Sequence, residues 1–113
     1  MPAFLDLNGA SGATYRFRLA QDGYVRMAMA GNYVCVRAEG SGFTVLSVAA
    51  TNDPYTTERA WKHAAARRGA THLYTRLNVS ASVREAEQRD VAAYYRPRSG
   101  PHSGPPPAAV RGR

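Results

Sequence analysis

The sequence predicts an α/β sandwich of the α+β kind, with a small antiparallel sheet of three to four strands flanked by two helices. Three observations lead to this fold class. Several short segments alternate between apolar and polar residues, a glycine-containing turn joins two of them, and two longer segments carry helix start and stop signals. With 113 residues, the chain is long enough for one domain with a single modest core and too short for two.

Four segments have the composition of β-strands. Residues 15–19 alternate strictly between apolar side chains and arginines, which predicts a half-buried strand. Residues 31–37 and 43–48 are rich in β-branched and aromatic residues, and the Gly-Ser-Gly turn at 40–42 predicts that they form a hairpin. Residues 72–79 alternate again, and the alternation places three polar or aromatic side chains on one face: His72, Tyr74 and Arg76.

Two segments are predicted to be helices. The first follows Asp53, whose carboxylate can cap the free amides of the first turn, and it stops at Gly69. The second is predicted to start at Ser82, which has the spacing of a capping box with Glu85. It ends before Pro97, because a proline disfavours helical geometry in the residue that precedes it.

Composition divides the chain into three parts. Residues 1–12 contain two glycines and a serine, and we expect a flexible N-terminal lead. Residues 13–97 form the predicted folded domain, which includes a turn signal at 21–23 (Gln-Asp-Gly). Residues 98–113 are Gly, Pro, Ser, Ala and Arg with little else, and such a tail is predicted to be disordered because it cannot bury enough apolar surface.

The charge of the chain favours anionic partners. The formal net charge is +7, and the cations are nearly all arginine, with Lys62 as the one lysine. Arginine suits phosphate contact because its planar fork can donate two parallel hydrogen bonds. A GC-rich genome would give the same arginine bias without any functional cause, so the bias alone leaves both explanations open.

No segment approaches the roughly 18 apolar residues of a membrane span, and the N-terminus lacks the pattern of a secretory signal. Cys35 is the only cysteine, which excludes an internal disulfide. These features predict a cytoplasmic protein without a membrane partner.

Three segments, taken in their order and spacing, resemble the GIY-YIG nuclease domain over roughly residues 31–97. They are Gly31-Asn32-Tyr33-Val34, then Gly69-Ala70-Thr71-His72, then Gln88-Arg89-Asp90-Val91-Ala92 followed by Tyr95-Arg96-Pro97. The resemblance implies an α/β domain related to enzymes that cleave nucleic acid with the help of one divalent metal ion.

The resemblance also implies which residues are remnants of a catalytic site. In the family, two box tyrosines position or deprotonate the attacking water, a helix arginine stabilises the phosphate, and a glutamate binds the metal. Tyr33 matches the first tyrosine, Arg59 the arginine, and Gln88 the glutamate, while the second box falls at Ser47-Val48-Ala49. A neutral amide is a poor ligand for a hard cation, and a serine cannot replace a phenol. The resemblance therefore implies a catalytically degenerate domain without a cofactor, and a metal such as Mg²⁺ only if the site is still active.

The resulting hypothesis is a nucleic-acid-binding module that contacts phosphates of DNA or RNA. Its predicted contact residues are Arg59, His72, Tyr74 and Arg76. For the last three, the alternative is an ordinary amphipathic strand with one solvated face. Two other functions stay open: a protein-interaction scaffold that binds no nucleic acid, and a nuclease with a rearranged active site.

Overall fold

A computed structural model describes residues 1–20 and 30–96. Seven elements follow one another along the chain: β1 (Phe4–Asn8), β2 (Thr14–Ala20), β3 (Gly31–Glu39), β4 (Gly42–Thr51), α1 (Pro54–Arg68), β5 (His72–Leu77) and α2 (Ala81–Tyr95). The predicted turn at 21–23 and the predicted disordered tail at 98–113 both lie outside the described residues. The architecture is an α+β fold built on an antiparallel sheet, as the sequence predicted.

The sheet has five strands in the order β1-β2-β5-β3-β4, and every neighbouring pair is antiparallel. The prediction of three to four strands was therefore too low. The missing strand is β1, which lies inside the segment expected to be a flexible lead. It pairs with β2 from Phe4 opposite Arg18 to Asn8 opposite Thr14. Leu5 and Leu7 point into the core, and this apolar anchoring fixes residues 4–8 in place.

The hairpin of β3 and β4 is confirmed, and both strands are longer than predicted. The strands pair from Gly31 opposite Thr51 to Glu39 opposite Gly42, with a bulge beside Cys35 and Val36. A bulge adds one residue to one strand. As a consequence, Val45 and Val48 face the same side of the sheet although they are three residues apart.

Helix α1 has the predicted ends. The backbone N–H of Tyr55 donates to the Asp53 carboxylate over 2.9 Å, and Gly69 closes the helix in the left-handed conformation, with its N–H bonded to the carbonyl of Ala64. Helix α2 ends before Pro97 as predicted, at Tyr95. Its predicted capping box is wrong, because the N-cap residue is Ser80 and it makes no side-chain capping bond.

The two helices cover opposite faces of the sheet. Val91 and Tyr95 of α2 pack against the larger cluster, whose sheet residues include Phe17, Val34 and Tyr74. Successive side chains of a strand point to opposite faces. Accordingly, the neighbours Tyr33, Cys35 and Leu73 face the other way and pack with Ala64 and Trp61 of α1. The sheet is thus a middle layer with an apolar contact on each side.

Candidate nucleic-acid interface

The predicted strip of β5 lies under other parts of the chain. Tyr74 is fully buried, and its hydroxyl donates to the carbonyl of Pro2 over 2.6 Å. His72 is half-buried, with Nδ1 2.8 Å from the hydroxyl of Thr71. Burial and the nearby N-terminal amino group lower the pKa of His72, which favours the neutral ring. Tyr74 therefore has no exposed surface for a phosphate, and the lowered pKa of His72 weakens its predicted role as a cation.

Arg76 completes the predicted strip, but its guanidinium is engaged inside the protein. Nε donates to the Glu87 carboxylate of α2 over 2.8 Å. The guanidinium carbon also lies 5.5 Å from the centre of the Tyr15 ring, and Nη1 donates to the carbonyl of Arg16 over 3.4 Å. Arg76 joins β5 to α2 and β2, so its charge is already compensated.

The ion pair belongs to a polar network that the sequence did not predict. Asn78 donates both to the same Glu87 carboxylate oxygen and to the side-chain oxygen of Asn32, each over 2.9 Å. Asn32 is 2% exposed, and its amide donates to the carbonyl of Arg84 over 2.8 Å. Buried amides of this kind are stable only when they are hydrogen-bonded. An asparagine next to the apolar run of residues 33–36 in β3 was the signal in the sequence for this network.

A second set of contacts fastens α2 to the turn between β1 and β2. The Asp90 carboxylate accepts hydrogen bonds from the backbone N–H and hydroxyl of Ser11 over 2.9 and 2.6 Å, and from the Tyr15 hydroxyl over 2.7 Å. These bonds lower the pKa of Asp90, because they stabilise the ionised form. The carboxylate is close to Gly9, where a side chain would collide with it. An open groove of about 570 Å³ runs beside these residues, but its Asp90 carboxylate already accepts three hydrogen bonds from the protein.

The three remnant candidates do not meet in one cleft. Tyr33 is 6% exposed and packs beneath α1, and burial raises its pKa, which disfavours the phenolate. Gln88 lies on α2, on the other side of the sheet, where its amide donates to the carbonyl of Val48 over 3.2 Å. Arg59 is exposed on α1. Gly31, the first residue of the segment that resembles the family's first box, is required by packing, because a Cβ on Gly31 would collide with the carbonyl oxygen of Arg76.

Metal-binding side chains are scattered over the described part of the chain. Within residues 1–20 and 30–96, no three His, Cys, Asp or Glu side chains come close enough together to hold an ion. In the same ranges, no helix is long and apolar enough to cross a bilayer.

The outer face of α1 has a different character. Tyr55, Arg59, His63 and Arg67 follow one another at four-residue spacing, and Lys62 lies beside them; all five are exposed. At 100° per residue, Tyr55, Arg59 and Lys62 lie within about 60° of one another, opposite the buried Thr57 and Ala64, and the row winds through His63 to Arg67, about 60° from Ala64. We call Arg59, Lys62, His63 and Arg67 the α1 basic face.

Glu58 is the one acid of α1 and lies one turn before Lys62, but no ion pair joins the two among the described residues. Within the same ranges, none of the cations of the α1 basic face takes part in an ion pair. The polar contact of Arg59 is a long bond of 3.5 Å to the hydroxyl of Thr56. Of the predicted contact residues, Arg59 is the one that the structure leaves available to an anion.

The charge and exposure of this face are consistent with several anionic ligands, and similarity to known proteins does not narrow them. No family model, curated protein or solved structure matches the chain. The resemblance to the GIY-YIG domain stays a prediction.

Proposed function

We propose that this protein binds nucleic acid through phosphates, with the α1 basic face as the contact surface. The observation that carries the proposal is the difference between two sets of cations, one paired within the fold and one grouped on α1. Arg16, Arg37 and Arg76 pair with acids of the fold, whereas Arg59, Lys62 and Arg67 are exposed and, within the described ranges, unpaired. Arg18, Arg89 and Arg96 are also exposed without an ion pair in the described ranges, but α1 places three such cations within residues 59–67. The second set keeps its full charge for an external anion.

The spacing of these cations supports a polymeric anion. An α-helix rises 1.5 Å per residue, so Arg59, Lys62 and Arg67 follow at axial steps of about 4.5 and 7.5 Å. Like charges three or four residues apart destabilise a helix by about 0.2–0.5 kcal/mol per pair. A polyanion lying along the helix would relieve that repulsion and release its own counterions.

The proposal is for a binding module without the nuclease reaction of the GIY-YIG family. The separation of Tyr33 and Gln88 on opposite faces of the sheet supports this choice. A site for metal-assisted cleavage needs the base and the metal ligand within reach of the same phosphate. An assay for Mg²⁺-dependent cleavage of DNA and RNA is expected to show no activity above background. Cleavage that is abolished in Tyr33→Phe would contradict this part of the proposal.

Binding is tested with fluorescently labelled DNA and RNA at low salt, measured by anisotropy. The double variant Arg59→Gln with Arg67→Gln should weaken binding about tenfold, since it removes two phosphate contacts. The matched control is Arg89→Gln with Arg96→Gln, which removes the same charge from exposed positions at α2. Glutamine preserves helix propensity at positions 59, 67 and 89, and Arg96 is the C-cap residue just beyond α2.

The outcomes separate the candidate functions. Loss of affinity in the α1 pair but not in the α2 pair supports the proposed surface. Equal losses in both pairs would mean that net charge, not a defined surface, attracts the nucleic acid. No binding by the wild type at low salt would overturn the proposal in favour of a protein-interaction scaffold.

A further inference from the structure

We infer that the nucleic acid bound by the α1 basic face is single-stranded, and that the ring of Tyr55 stacks on one of its bases. This inference rests on the proposed function and goes further by naming the form of the ligand. It comes from an aromatic side chain placed at the end of the row of cations.

Tyr55 stands apart from the other described tyrosines. Its exposure is 71%, whereas Tyr33, Tyr74 and Tyr95 belong to the core. Tyr94 is 38% exposed and packs edge-on against Tyr95, with ring centres 4.7 Å apart. An aromatic ring normally contributes to a fold by burying its faces. Most of the Tyr55 ring is instead open to solvent and can accept a stacking partner.

The position of Tyr55 relative to the cations fits a nucleic-acid strand. Tyr55 lies one turn before Arg59 on the same side of α1, and the row continues through His63 to Arg67. The axial distance from Tyr55 to Arg67 is about 18 Å at 1.5 Å per residue. Proteins that bind single strands combine an aromatic platform for a base with cations that follow the backbone.

The N-terminus of α1 itself is not an anion site. The Asp53 carboxylate accepts from the N–H of Tyr55 and from the hydroxyl of Thr56, over 2.9 and 3.1 Å. A phosphate at this end would therefore meet a negative charge. The phosphates are directed toward Arg59 and beyond, which leaves the ring of Tyr55 for the uncharged base.

The inference distinguishes single strands from duplexes. In a duplex, each base is already stacked between its neighbours and cannot lie against a protein ring without being extruded. A single strand offers its bases freely, and removing an aromatic platform typically costs about tenfold in affinity. The phosphate contacts of Arg59 and Arg67, by contrast, are available to either form.

The experiment compares a labelled 12-nucleotide single strand with the 12-base-pair duplex of the same sequence, on the full chain. Tyr55→Ala should weaken single-strand binding about tenfold and leave duplex binding unchanged. Tyr55→Phe should preserve binding, because stacking needs the ring and not the hydroxyl. Tyr94→Ala is the matched control on α2 and should have no effect on either ligand.

Failure of the inference is distinguishable from failure of the proposed function. If both ligands bind, and Arg59→Gln with Arg67→Gln weakens both while Tyr55→Ala weakens neither, the inference is overturned and the proposed function stands. If neither ligand binds at low salt, both are overturned. Circular dichroism of each variant excludes loss of the helix as the cause.

Discussion

Helices α1 and α2 have the same length of 15 residues and cover opposite faces of one sheet, but they use their polar side chains differently. In α2, Glu87 pairs with Arg76, Asp90 holds Ser11 and Tyr15, and Gln88 bonds to β4. In α1, the cations Arg59, Lys62 and Arg67 are exposed and, within the described ranges, take part in no ion pair. A charged side chain that is paired within the fold is not available to a ligand, so the net charge of a helix does not by itself indicate a binding surface.

The helices also differ in how firmly they are anchored. Val91 and Tyr95 of α2 are at most 2% exposed, and the Tyr95 hydroxyl accepts from the backbone N–H of Asn8 over 3.1 Å. The buried residues of α1 are the small Thr57 and Ala64, with Trp61 half-buried. Burial of large side chains contributes most to stability. We therefore expect α2 to contribute more than α1 to the stability of the fold.

The largest expected effect follows from this anchoring. Tyr95→Ala should lower the free energy of unfolding by about 3–5 kcal/mol, because it leaves a cavity in the main cluster. Tyr95→Phe should lower it by about 1 kcal/mol, the net contribution of one hydrogen bond. Urea denaturation followed by circular dichroism measures both changes. Trp61→Ala on α1 is the comparison variant, and a loss as large as that of Tyr95→Ala would contradict the difference in anchoring.

A smaller change in the free energy of unfolding is expected when an arginine is removed from the sheet, at Arg76, or from α1, at Arg59. Arg76→Ala should lower the free energy of unfolding by about 1–2 kcal/mol, because Glu87 then loses its ion partner at a site that is 18% exposed. Arg59→Ala should change it by no more than about 0.5 kcal/mol, as surface substitutions do. Denaturation midpoints of the two variants, measured side by side, check this. If Arg59→Ala destabilised the protein as much as Arg76→Ala, Arg59 would also contribute to the stability of the fold.

The smallest effect concerns pH. The pKa of Asp90 is lowered in the folded protein by its bonds to Ser11 and Tyr15. Its contribution to stability is therefore present above the pKa of the unfolded chain and is lost as the pH falls through the folded value. The stability difference between wild type and Asp90→Asn should be constant near neutral pH and shrink below about pH 4. Thermal unfolding from pH 7 to pH 2.5 measures it, and a difference independent of pH would refute this role of the carboxylate.

Local signals in the sequence predicted the local structure well. The caps of α1 at Asp53 and Gly69 and the hairpin around residues 40–42 all depend on neighbours in the chain. The start of α2 was misplaced because Ser82 and Glu85 have capping-box spacing, although the helix begins before them. A short motif of this kind is compatible with more than one helix start.

The alternation of apolar and polar residues did not predict contacts between segments that are distant in the chain. Alternation in β5 predicted one solvated face, as is common for antiparallel sheets. Here both faces are covered, so Tyr74 and Arg76 became internal contacts. Strand β1 escaped prediction because its five residues stand next to glycines, and only its pairing with β2 defines it. Exposure of Arg59, in contrast, agrees with the general preference of an unpaired arginine for the surface.

The central claim is that the cations of α1, and not those of α2, bind nucleic acid. The most direct test is the dependence of affinity on salt, since the slope of log K against log salt counts phosphate contacts. For three cations on a single strand, the wild type should have a slope of about −2, and the variant Arg59→Gln with Arg67→Gln about −0.7. The α2 control, Arg89→Gln with Arg96→Gln, should keep the wild-type slope. A slope that falls equally in both variants would contradict the account.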